Sequence, residues 1–161
     1  MMAVNKAIAV IGDINFPLEK VGMAKTLTSY LLNQGYDVRT GGNAGTENAF
    51  TMKGVSLYLP WPGFRTHRQA AMTKPSKTAY GIASMACPSW ARQSNGSKSL
   101  MARNVNIILG ADLSSPVQFI LIYGREPLTE HARRIALTHE ITTYNIEDVD
   151  ADALLGLLTT V

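Results

Sequence analysis

Arg39–Phe50 reads RTGGNAGTENAF. It continues from a second strand, YDVRT (36–40), and sets Gly41, Gly42 and Gly45 ahead of a segment with helical character. In a sheet whose strands alternate with helices, ligands lie beyond the carboxyl ends of the strands, where loops turn into helices. Glycine lets the backbone take positive φ and approach another group closely, because no Cβ intervenes. Loop N–H groups and the start of a helix then offer an anion seat. Asn43 and Thr46 add side-chain hydrogen bonds, and Glu47 can accept from ribose hydroxyls. The pattern is neither G-x-G-x-x-G nor a P-loop, so a tight strand-to-helix turn fits it as well as a phosphate cradle does.

Outward from this loop, strand and helix patterns alternate. KAIAVIGD (6–13) reads as a buried strand. Pro17 starts a helix with Ala24, Leu27 and Leu31 at helical spacing and Gly35 as its cap. TENAFTMK is a short helix, and VSLYLP a third strand ended by Pro60. TAYGIASMA reads as a helix ending near Pro88, and SKSLMARNVNIILG as one with Leu100 or Met101, Val105 and Ile108 on a shared face and Gly110 at its end. VQFILIYG is the strongest strand pattern. LTEHARRIALTHE follows as an amphipathic helix, with Thr129 at its N-cap, Ala132, Ile135 and Ala136 inward and His131 outward. TTYNI gives a last strand and ADALLGLL a last helix. This order predicts one α/β domain over residues 1–161: a Rossmann-like, three-layer arrangement with a mostly parallel sheet of about five strands.

Charge divides the chain unevenly. From Asn48 to Ala111 there is no acid but 8 basic residues, while the remainder carries 7 basic and 12 acidic ones. A basic middle on an acidic molecule points to an anionic partner, a phosphate-bearing small molecule or a nucleic acid. No apolar run reaches the length of a membrane span, and the start, MMAVNKAIAVIGD, lacks a signal peptide's apolar stretch. The lone Cys87 excludes an internal disulfide and fits a cytoplasmic setting. His67, His131 and His139 have no metal-ligand spacing, so neither a metal nor a cofactor is expected.

Two further segments bear on the loop. YLPWPGF (58–64) puts Trp61 and Phe64 after the third strand, with Arg65, His67 and Arg68 immediately beyond. An aromatic face beside cations suits a nucleobase and its phosphates. Trp61 would serve equally as a plug at the sheet edge. MARN places Arg103 and Asn104 on a helix whose other face is apolar, and an inward Arg103 would need an anion or a carboxylate.

RTGGNAGTENAF, YLPWPGF and MARNV together resemble a group within the SLOG superfamily, Rossmann-like domains related to DNA-processing protein A and the LOG phosphoribohydrolases, with many small members encoded by bacteriophages. The resemblance runs from about Asp13 to Asn145. It implies a nucleotide pocket at the carboxyl ends of the strands, with Gly41, Gly42 and Gly45 as its phosphate-facing loop. The family's second glycine loop is replaced here by Pro127, Leu128, Thr129 and Glu130, which leaves Arg125 to supply charge. The glutamate that the LOG enzymes carry on the next helix falls at Arg134, which speaks against glycosidic-bond hydrolysis. The expectation is a binder of a nucleotide-like small molecule, in a phage setting a sequestering protein in the host cytoplasm. Single-stranded DNA binding is the alternative and nucleotide hydrolysis a second one. Whether a homo-oligomer builds the site is left open.

Overall fold

The computed structural model describes residues 6–147 and 153–156. Five strands, β1 (Ala7–Gly12), β2 (Asp37–Thr40), β3 (Ser56–Leu57), β4 (Phe119–Tyr123) and β5 (Thr142–Asn145), pair in the order β3-β2-β1-β4-β5, and every pair is parallel. Five α-helices intervene: α1 (Val21–Asn33), α2 (Thr46–Ala49), α3 (Lys77–Met85), α4 (Asn95–Leu109) and α5 (Pro127–Thr138). This is the Rossmann-like α/β architecture that the sequence predicts. Of the last helix, residues 153–156 are helical and the rest of ADALLGLL lies outside the described residues.

Strand alternation divides the core in two. Ala7, Ala9 and Ile11 of β1 and Ile120 and Ile122 of β4 face α3, α4 and α5, whereas Ile8, Val10, Phe119 and Leu121 face α1 and α2. The two alanines on β1 leave room for α4, which lies so deep that Met101 to Leu109 are all buried. Each larger apolar side chain buried this way contributes about 1.5–3 kcal/mol.

Helix ends follow local chemistry. Gly35 takes φ 85° beyond α1, and Tyr36 N–H closes back on the Leu31 carbonyl, a Schellman-type stop. Ser76 and Ser94 cap α3 and α4 by accepting from Ala79 and Ser97 N–H. Two expectations are corrected. Helix α5 begins at Pro127, so Thr129 lies inside its first turn rather than at its N-cap. His131 is fully buried rather than outward, because α3 covers that side of α5 and Ala83 O accepts from His131 Nε2 at 3.0 Å. The third strand is shorter than its pattern suggests; Tyr58 and Leu59 instead engage Thr40 and Met72.

Strand order reverses between β1 and β4, which makes the crevice above their carboxyl ends the switch point of the sheet. The loops after β1, β2 and β4 meet there.

Candidate functional site

The loop after β2 is shaped first by the protein's own groups. A Cβ on Gly41 would collide with the Arg103 guanidinium and lie 2.7 Å from Glu47 Oε1. Gly42 (φ 71°) and Gly45 (φ 78°) occupy the left-handed half of backbone space. A side chain at Gly42 would meet the His67 ring at 2.8 Å, and one at Gly45 would strike the Ile14 carbonyl. The turn is then pinned from below: Thr46 donates through both N–H and hydroxyl to Asp13 O, at 3.1 and 2.8 Å.

Beneath it lies a buried ion pair. Arg103 reaches up from α4 and donates from Nη1 to Glu47 Oε1 and from Nη2 to Glu47 Oε2, each at 3.2 Å. Arg103 also donates to Gly41 O, and its partner Glu47 accepts from Asn43 N–H at 3.1 Å. The pair is sealed, with Arg103 0% and Glu47 1% exposed. Asn104, also buried, accepts from Arg103 Nη2 and donates to Leu128 O, which ties α4 to the start of α5. The roles expected for Arg103, Glu47 and Asn104 at a ligand are therefore corrected: they set the shape of the glycine loop from inside.

Above the loop is a cleft of about 380 Å³ lined by Gly42, Asn43, Ala44, Gly45, Asn48, Arg65, Thr66 and His67. No carboxylate lines it. Asn43 Oδ1 accepts from Arg65 Nε at 3.0 Å, which leaves the outer guanidinium nitrogens facing away from that bond. His67 Nε2 donates to Gly42 O at 2.9 Å and holds the loop from the opposite side. Arg65 (φ 53°) and Thr66 (φ 65°) take the left-handed conformation, which costs a non-glycine residue about 1 kcal/mol or more. Phe64, buried beneath, anchors this turn, with the Arg65 guanidinium 5.7 Å from its ring centre. A second cleft, of about 450 Å³, shares Thr66 and His67 and adds Arg68 and Thr73. A third, of about 430 Å³, opens on the other side of Gly45 between Ile14, Phe16, Pro17 and Tyr123. Burial and the nearby charges of Glu147 and Asp13 raise the Tyr123 phenol above its ordinary value.

The remaining expected residues are dispersed. Trp61 is 40% exposed, packs edge-on to Phe64 at 5.1 Å and faces Gly96 of α4, outside the three clefts. Phe64, expected either to meet a base or to form the pocket wall, is too deeply buried to stack on a base. The Arg125 side chain is exposed and pairs with Glu130 at 3.6 Å. Sequence reasoning set His67 with Arg65 and Arg68 beside the aromatic face, but gave no site role to Thr66 or Asn48. The bond of His67 to Gly42 spans 25 residues.

At the switch point the α5 N-terminus is already occupied. The Asp13 carboxylate accepts from Arg125 N–H (3.0 Å), Glu126 N–H (2.9 Å) and the Thr129 hydroxyl (2.7 Å). A Cβ at Gly124 would run into it.

A solved structure of DNA processing protein A from Helicobacter pylori, a study of that protein's single-stranded DNA binding mode, matches 98% of this chain and 73% of that one, with a TM-score of 0.58 and 14% sequence identity. No protein-family model and no curated protein matches the sequence. The chain shares its fold with DNA processing protein A. At this identity the likeness carries no residue-level role. Among the described residues, no helix is long and apolar enough to cross a membrane.

Proposed function

We propose that this protein binds a nucleotide-like small molecule through a phosphate group placed between Gly42–Asn48 and Arg65–His67. The observation that carries the reading is Arg65, held over the glycine loop by Asn43 in a cleft lined by no acid. A guanidinium with free outer donors is suited to bidentate phosphate binding. Strain at Arg65 and Thr66, in a loop held by Phe64 and His67, fits a turn retained for its function. The ligand is bound without being cleaved: Glu47, the nearest carboxylate in sequence, is sealed against Arg103, and Glu130 is engaged by Arg125 and Arg133. Neither is free to act as a general acid or base. In the phage setting that the family resemblance suggests, the role is to sequester or sense a nucleotide second messenger.

The test is melting temperature against a panel of mononucleotides, ADP-ribose and its cyclic isomers, and cyclic di- and trinucleotides. A ligand at 100 times its Kd adds about 2.7 kcal/mol, a shift of a few degrees for a domain of this size. The shift should vanish in Arg65→Ala, with the ligand recovered intact on heating. A panel without any shift, or a shift kept in Arg65→Ala, would sink the reading.

Single-stranded DNA is the second reading. Its support is Trp61 exposed beside the start of α4, together with Lys98 Nζ 5.5 Å from the Trp90 ring centre, a pairing of aromatic and cation suited to stacked bases.

A further inference from the structure

In a doubly wound sheet, the helix after the strand beyond the switch point presents its N-terminus to the crevice, and an anion there gains from its unpaired N–H groups. Here α5 holds that position over twelve residues, and an anion is seated at its entrance: the Asp13 carboxylate accepts from the N–H groups of Arg125 and the N-cap Glu126, just ahead of Pro127, and from the Thr129 hydroxyl, at 2.7–3.0 Å. The neighbouring donors are spent on carboxylates too. Glu126 Oε1 accepts from Ile14 N–H at 2.7 Å, and Glu147 Oε1 from Gly124 N–H at 3.1 Å. A phosphate approaching this end of the crevice meets three carboxylates and finds these donors taken.

We propose that Asp13 is a specificity-determining residue, a built-in anion that fills the second phosphate seat and confines the ligand's phosphate to the glycine-loop side. The proposal rests on the reading of the glycine-loop cleft given above, and it narrows the ligand class. A ligand with its phosphate at one end fits. A ligand whose phosphates bridge the loops after β2 and β4 is excluded, because the second phosphate would have to displace Asp13. Gly45 joins the two sides: it lines the glycine-loop cleft and the cleft of Ile14, Phe16 and Tyr123, and its neighbour Thr46 is bound to the Asp13 carbonyl.

The experiment uses the full chain and follows melting in sodium acetate or sodium phosphate at constant ionic strength. Acetate has the size of the aspartate side chain, and inorganic phosphate is the ligand probe. The proteins are wild type, Asp13→Gly, Arg65→Ala and the double variant. Asp13→Gly should melt several degrees below wild type, because three donors lose their acceptor. Its melting point should climb saturably with acetate and with phosphate, and should do so in the Arg65→Ala background as well. Wild type should be flat in acetate. An Asp13→Gly protein as stable as wild type without added anion, or one no more responsive than wild type to either anion, would overturn the proposal. Should Asp13→Gly not fold, Asp13→Asn keeps the shape and removes the charge; it should melt several degrees lower, and wild-type stability there would overturn the proposal equally. The two readings fail separately. Loss of the wild-type phosphate response in Arg65→Ala reports on the glycine-loop cleft, and anion recovery of Asp13→Gly reports on the second seat.

Discussion

Among the described residues Arg103 has the largest fully buried side chain, and its charge is balanced by Glu47. Taking both charges out of water is costly, and the pair holds because each carboxylate oxygen accepts from the guanidinium. Arg103 Nε is left without a partner, so the arrangement has little to spare. Glu47→Gln leaves a buried positive charge uncompensated and is expected to cost about 3–5 kcal/mol. Replacing both, as Glu47→Gln with Arg103→Met, should recover a large part of that loss, since the uncompensated charge is gone. Urea denaturation of the two variants and the wild type measures this. A Glu47→Gln protein within about 1 kcal/mol of wild type would mean that the pair does not set the loop.

At the scale of elements, His131 shows how α5 is fastened to α3. Its Nε2–H donates to Ala83 O, which leaves Nδ1 as a buried acceptor without a partner. Arg134, one turn on, donates to Ala86 O at 2.7 Å and adds positive charge nearby. Burial, and after it the Arg134 charge, holds the imidazole below its ordinary value against the opposing effect of the Ala83 bond. Folded His131 therefore resists protonation that the unfolded chain accepts. Above about pH 6.5 both states are neutral there and stability is full; as pH falls below that value, the unfolded state binds the extra proton and stability declines. Urea melts between pH 7 and pH 5 should show this decline, and His131→Gln, which keeps a donor for Ala83 and does not titrate, should flatten it. An equal slope in the variant would assign the effect elsewhere. The same residue marks a limit of pattern reading. β1 and β4 were legible because apolar runs form central strands whatever surrounds them. His131 was misplaced because amphipathicity treats a helix as having one neighbour, whereas α5 has the sheet on one side and α3 on another. The glycine loop was legible as a loop. Its internal partners were not, since Arg103 and Asp13 reach it or its neighbour across 56 and 33 residues of sequence.

Over the whole molecule, the charge asymmetry decides between a small ligand and a strand. Arg103, one of the 8 basic residues of the middle stretch, is buried and paired, so it adds nothing to an outward field. Lys53, Arg65, Arg68, Lys74, Lys77 and Arg92 are exposed. Each phosphate neutralised on a single strand contributes about −0.7 to the slope of log affinity against log salt. A ligand held by one or two phosphate contacts should lose less than about tenfold between about 50 and about 200 mM salt, whereas a strand spanning six contacts would lose roughly 300-fold. The cleft gathers Arg65 and, through shared Thr66 and His67, Arg68; the other exposed cations line none of the three clefts described. The shallow dependence is therefore expected, measured by titrating the nucleotide that shifts melting most across that salt range. A short DNA strand run in parallel supplies the contrast. Tight binding of that strand with the steep dependence, and none of the nucleotide, would move the functional surface from the glycine loop to exposed Trp61 and the half-buried pair of Trp90 and Lys98.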